Sequence, residues 1–219
     1  MDVRSLLKAK NPITSRTGNE RPNIENPRPD GVAEHFCLMA RGATIFRAEL
    51  EIADMDRSYY ASHSLTLALH PSETEERMMI RLLAFALFAG DDLAFGGGVS
   101  TQDEADLWEK DLTGSITLWI EIGHPEERTV RKACGKSRQT VVVCYGGRAS
   151  TVWWKENLES FQKLKNLTII QIPQTASQAL AKLADRNMKL NINIQDGIVS
   201  VIKGDDIVEV ELEFLTTAR

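Results

Sequence analysis

At 219 residues with 42% hydrophobic side chains, the chain is long enough to bury one large core without disulfides or structural metal. Its formal net charge of -5 excludes a protein that coats nucleic acid indiscriminately, since that mode needs many Lys and Arg facing phosphates. The three cysteines, Cys37, Cys134 and Cys144, lack zinc-knuckle spacing and are too sparse for a disulfide framework; no apolar run approaches the roughly 20 residues of a spanning helix, and no secretory pattern opens the chain, so a cytoplasmic protein with no membrane partner is expected.

Residues 1–38 show no sustained period and hold Pro12, Pro22, Pro27 and Pro29, which predicts a disordered extension ahead of one domain over 39–219. Alternation over Thr44–Ile52 and a β-like run over Ser64–Leu69 predict an antiparallel pair around the bend Asp54-Met55-Asp56-Arg57. Ser72–Ala89 reads as a helix. Ser72 and Glu75 form a capping box, Met79, Leu82, Leu83, Ala86 and Leu87 recur at helical spacing, and Gly90-Asp91-Asp92 ends it. Leu93–Phe95 is a short strand before Gly96-Gly97-Gly98, a bend and not a phosphate cradle, because no P-loop lysine follows.

Ile116, Leu118, Ile120 and Ile122 alternate with Thr117, Trp119 and Glu121, a strand with one apolar face that stops at Gly123-His124-Pro125. Helix 126–136, strand 139–145, helix 151–164, strand 167–172 and helix 175–185 then alternate, which implies parallel strands with right-handed crossovers. Lys189–Gln195 and Ile198–Lys203 flank the hairpin turn Asp196-Gly197, and Ile207–Leu215 adds a last strand. The fold class is α/β with a mixed sheet.

On the Ser72 helix a wheel of 100° per residue places Glu76 in the stripe of Met79, Leu83 and Leu87, with Glu73 at its flank and Arg77 and Arg81 directed away. A carboxylate on a buried stripe is costly unless paired, hydrogen-bonded or bound to metal, which makes Glu76 a candidate; Glu73 also suits the macrodipole in a first turn. Glu121 ends a strand that enters a crossover helix, where ligands of α/β sheets collect; a surface salt bridge to Arg128 or Lys132 is the competing explanation. A hard cation, Mg2+ or Mn2+, takes oxygen ligands, so Glu76, Glu121 and one further acid, Asp103 or Asp111, with Glu73 in support, form a candidate metal set, and Lys132 is the lysine that would stabilise developing charge. The four histidines are scattered without zinc spacing, His70 fitting a turn at Pro71, and no nucleophile elbow supports a serine triad. Trp153-Trp154, which could stack on a base, reads first as packing against the sheet.

From about Ala40 onward the chain resembles the bacterial YaeQ family. The segments that carry the resemblance are Ala53-Asp54-Met55-Asp56-Arg57, His70-Pro71-Ser72-Glu73-Thr74-Glu75-Glu76-Arg77-Met78, Leu118-Trp119-Ile120-Glu121-Ile122-Gly123 with Pro125, Arg131-Lys132-Ala133 and Gln195-Asp196-Gly197. That resemblance implies a variant of the PD-(D/E)XK restriction-endonuclease-like fold, with a helix acid, a hairpin Asp and a Glu-x-Lys strand building a magnesium site for phosphodiester cleavage. Carried over, the helix acid is Glu73 or Glu76, the strand acid is Glu121, and the hairpin Asp is Asp103 or Asp111. Gly123 stands where the pattern has its lysine, and Lys132 on the next helix is the displaced candidate. Two functions are therefore expected in competition: a divalent-metal-dependent nuclease, and an inactive nuclease-fold module that binds nucleic acid or a protein partner.

Overall fold

A computed structural model describes residues 42–96 and 104–218; the extension expected over 1–38, Gly97, Gly98 and Asp103 lie outside the described residues. The expected antiparallel pair is present and longer than its periodicity suggests, β1 (Thr44–Asp54) pairing with β2 (Tyr59–Leu69) from Thr44↔Leu69 to Asp54↔Tyr59. On its other edge β1 runs parallel to β8 (Asn187–Gln195), which continues through the Asp196-Gly197 hairpin into β9 (Ile198–Lys203) and then β10 (Asp206–Glu211). These strands form one mixed sheet in the order β10-β9-β8-β1-β2.

The second mixed sheet contains β3 (Leu93–Phe95), β4 (Leu107–Lys110), β5 (Ile116–Ile122), β6 (Ser137–Cys144), β7 (Leu167–Gln171) and β11 (Glu213–Thr216), in the order β11-β7-β6-β5-β4-β3. As the alternating rhythm requires, β5, β6 and β7 are parallel. The strand expected as one piece over 207–215 is divided at Leu212, so that β10 closes the first sheet and β11 pairs with β7 in the second. Four-residue β4 is hidden in what the sequence presents as a link; it pairs antiparallel with β3 and β5.

Helix α1 (Glu75–Phe88) lies between the sheets. Every residue from Met78 to Phe88 is buried, and its core neighbours include Leu50, Ile192 and Val201 from one sheet and Leu118, Ile120 and Val141 from the other. A helix covered on both sides has no solvent face, which corrects the expected one-sided stripe and brings Arg81 inside. The helix α4 (Gln174–Lys182) shares this layer through Ala176 and Leu180. On the far face of the second sheet, α2 (Glu127–Lys136) and α3 (Arg148–Phe161) bury Val130, Trp153 and Phe161 against Val142, Cys144 and Ile169. The layering is thus sheet, helix, sheet, helix. No helix among the described residues is long and apolar enough to cross a membrane.

The bend after β1 fastens this arrangement. Buried Asp54 accepts from the Arg57 backbone (2.8 Å) and its Nε (2.6 Å), and the guanidinium donates to the carbonyls of Ala89 and Ala86 at the C-terminus of α1. A cation there satisfies orphan carbonyls at the negative end of the helix dipole. Asp56 accepts from the backbone N–H groups of Asp196 and Gly197, both at 2.9 Å, and so ties the β8–β9 turn to the β1–β2 turn. Two of the segments that carry the resemblance therefore serve structure.

Candidate functional site

The site is assembled where the start of α1 meets the ends of β4 and β5. Thr74 is the N-cap, its Oγ1 accepting from Arg77 N (3.2 Å), while Ser72 stays outside the helix in a turn where its Oγ and backbone N meet His70 Nδ1 at 2.7 and 3.2 Å. The predicted Ser72–Glu75 capping box is replaced by this cap two residues later, because Pro71 and the His70 contact keep Ser72 in the turn. Glu75 is exposed. Glu73, just before the cap, is the most buried acid of the segment.

Arg77 is the hub. One turn after Glu73, it donates from Nη1 to Glu73 Oε1 (3.0 Å) and from Nη2 to both oxygens of Asp106 (2.8 Å each), and reaches the Ile122 carbonyl at 3.4 Å. Arg81, one turn further, donates to Glu73 Oε2 (3.2 Å) and Ala68 O (3.4 Å). Both arginines, expected to point outward, are drawn inward by Glu73. Burial alone would lower Arg77, but the Asp106 and Glu73 carboxylates outweigh it and hold the guanidinium above its ordinary value. In Arg81 burial prevails over Glu73 and Asp106, with repulsion from Arg77 added, and the pKa falls below the ordinary arginine value.

Asp106 is not among the sequence candidates. The β4–β5 register pairs Leu107 with Ile120, so Asp106 lies one step before β4, opposite the Glu121 end of β5. Its Oδ2 also accepts from Ile122 N at 2.7 Å, which locks the two strand ends together. The turn Asp111–Ser115 would bring it close: equal counting sets 106 against 120, and the bulge between Glu109 and Lys110 moves Asp106 to the level of Glu121. That count requires recognising β4, and four residues show no period.

Glu121 shares a face of β5 with Thr117 and Trp119, beneath α2, and its Oε1 accepts from Trp119 Nε1 at 2.7 Å. Burial pushes its pKa up from 4.5 to about 7, the Trp119 hydrogen bond opposes that rise, the Asp106 charge adds to it and Arg77 subtracts. Asp106 and Arg77 are thus charges that act on Glu121; Arg128 and Lys132 are exposed on α2, while Val130 and Ala133 face inward. Gly123, with φ +101°, takes a left-handed conformation immediately after the strand and supplies no side chain.

The other candidates separate from this cluster. Glu76 is half-buried and accepts from the buried Ser177 hydroxyl of α4 at 2.6 Å. Asp111 is corrected: it sits in the turn at the opposite end of the β4–β5 hairpin, about 16 Å of strand from Asp106 at ~3.3 Å per residue. There its Oδ1 accepts from Thr113 N, Thr113 Oγ1 and Ser115 N; the Thr113 hydroxyl lowers its pKa, and its role is to close the turn. Trp153 packs on Phe161 and donates to Pro125 O (2.9 Å), as the packing expectation had it.

Chemically, three carboxylates suit a hard cation. As placed, however, both oxygens of Glu73 and both of Asp106 already accept from arginine, and among the described residues no group of three or more His, Cys, Asp or Glu stands together to hold a metal ion. The cluster does not fit magnesium in this arrangement.

Residues 39–212 match the family model described as YaeQ protein. The chain is 38% identical over 174 residues to the uncharacterized protein YaeQ of Escherichia coli (strain K12), covering 80% of this chain and 96% of that one. Its fold is similar to two crystal structures. One is of the YaeQ protein from Xanthomonas axonopodis pv. citri, with TM-score 0.78, 50% identity and coverage of 81% of this chain and 99% of that chain. The other is of the YaeQ protein from Pseudomonas syringae, with TM-score 0.77, 38% identity and coverage of 81% and 98%.

Proposed function

We propose, from the premise that this chain belongs to the YaeQ family, that it is a PD-(D/E)XK-like module that binds nucleic acid through the α2–α3 face without cutting it. The observation that carries the reading is the state of the acids: Arg77 and Arg81 together neutralise Asp106 and Glu73, and Gly123 stands where a nuclease of this type would use a strand lysine. Binding is supported by charge placement. Residues 126–166, which include α2 and α3, carry nine Lys or Arg, all exposed, against four Glu, in a chain whose net charge is -5. Exposed basic side chains on these helices and their links would offer a polyanion a landing surface where the average charge repels it.

A second reading, a magnesium- or manganese-dependent nuclease, is favoured by one observation: Asp106 joins Glu73 and Glu121 as the hairpin acid that the superfamily pattern calls for. That reading requires Arg77 and Arg81 to release Glu73 and Asp106, since in the present arrangement the acids do not fit the ion. Titration of labelled duplex DNA and RNA by fluorescence anisotropy, at several salt concentrations, tests the leading one. Saturable binding that weakens with salt supports it, and no binding at low salt rejects it.

A further inference from the structure

The geometry points to Arg77 as a tethered replacement for a divalent cation: the Glu73–Asp106 pair is neutralised by its own chain and keeps metal out. This inference rests on the binding-module reading, and its test measures metal directly, so that the two can fail separately.

Oxygen and charge counts agree. Glu73 and Asp106 present four oxygens; Oε1 and both Oδ atoms accept from Arg77, Oε2 accepts from Arg81, and Asp106 Oδ2 takes the Ile122 N–H as well. The four side chains are 2%, 5%, 18% and 5% exposed in the order Glu73, Asp106, Arg77, Arg81, so two buried carboxylates face one buried and one half-buried guanidinium and the group is neutral before any ion arrives. Magnesium demands oxygen ligands at about 2.0–2.1 Å in near-octahedral array and would have to strip these contacts first. The remaining buried donor argues the same way. Among the described residues Arg81 Nε finds no acceptor in its buried position, so the pocket holds more N–H groups than acceptors, and another cation would worsen that imbalance.

The tether favours arginine over a free ion. Arg77 follows Glu73 by four residues on the same chain, across the cap at Thr74, and an intramolecular partner acts at an effective concentration in the millimolar range or above. The planar guanidinium bridges Glu73 and Asp106 and reaches the Ile122 carbonyl through N–H groups set in a fixed fork. Glu73 and Asp106 thereby become positioning residues, holding a cation beside the end of β5, where this chain has Gly123 in place of the lysine of the superfamily pattern.

The experiment is Mn2+ binding, followed by electron paramagnetic resonance of free Mn2+ and by the shift of Tm, on the full chain and three variants: Arg77→Gln, Asp106→Asn and the two combined. Wild type is expected to bind no stoichiometric Mn2+ at millimolar concentration. Arg77→Gln, with its acids released, is expected to gain one bound ion and a Tm that rises with Mn2+, and adding Asp106→Asn should abolish that gain. One ion bound by wild type and lost in Asp106→Asn overturns the inference, as does a folded Arg77→Gln that gains none. Should Arg77→Gln not fold without metal, its refolding on Mn2+ but not on an equal ionic strength of NaCl gives the same support, and failure to refold counts against it. Nucleic-acid binding is untouched by either result, because its proposed surface lies on α2 and α3.

Discussion

Replacing Glu121 with Gln isolates the cost of a carboxylate held against its preference. In the folded chain burial raises its pKa to about 7 from 4.5, while the unfolded chain returns it to the ordinary value. Between those two values the native state binds more protons than the unfolded one, so stability falls as pH rises and levels off above about 7. At about 1.36 kcal/mol per pH unit, this difference is worth about 3 kcal/mol. The amide in Glu121→Gln keeps an oxygen for the Trp119 indole N–H and carries no charge at any pH. Urea unfolding of both proteins at intervals from acid to mildly alkaline pH should give matching stabilities near pH 4.5 and a variant more stable by about 3 kcal/mol above pH 8. Parallel profiles for the two proteins would refute the reasoning, since they would mean that Glu121 ionises as freely in the folded chain as in the unfolded one.

Arg57→Met leaves Asp54 buried without its cation and uncaps the end of α1, and equilibrium unfolding should show a loss of about 3–5 kcal/mol. Asp56→Ala frees two backbone donors of the β8–β9 turn at a site open to water; about 1 kcal/mol should be lost, with faster amide exchange at Asp196 and Gly197. Gly147 has φ +58°, and a methyl there would run into the Gln174 side chain, so Gly147→Ala should lower Tm at a cost of about 1–3 kcal/mol. Arg128→Glu with Lys132→Glu should reduce the slope of log affinity for duplex against log salt by about one for each phosphate no longer neutralised, with the far-UV spectrum unchanged.

The strand alternation of β1, β8 and β9 is legible because each keeps one face in the core, with burial along β1 and β8 following the alternate residues, and that of β5 because Thr117 and Glu121 interrupt its second covered face. The α/β alternation after Gly123 likewise marks β5, β6 and β7 as parallel neighbours. What periodicity cannot carry is depth. A wheel assigns one buried face to a helix, yet α1 is covered by two sheets, and this reverses the orientation of Arg77 and Arg81 and the ranking of Glu73 against Glu76. Glu121 is recognisable from its place at a strand end, whereas Asp106 stays hidden because its significance is a cross-strand register. Leu212 passes for part of one strand because the residues around it alternate; only the two sheets it joins reveal the break. The segments behind the resemblance also divide by role, with Asp54–Arg57 and Asp196-Gly197 securing the frame and Glu73–Arg77 with Glu121 building the site.

The measurement that bears most directly on the proposed binding module, with its acids neutralised from within, is a denaturing-gel assay on end-labelled DNA and RNA. The substrates are incubated with pure protein in Mg2+ or Mn2+, under conditions where anisotropy reports them bound, with Glu121→Gln alongside. Intact strands in every lane, with saturable binding by both proteins, are the predicted result. Metal-dependent cleavage by wild type that disappears in Glu121→Gln would contradict it.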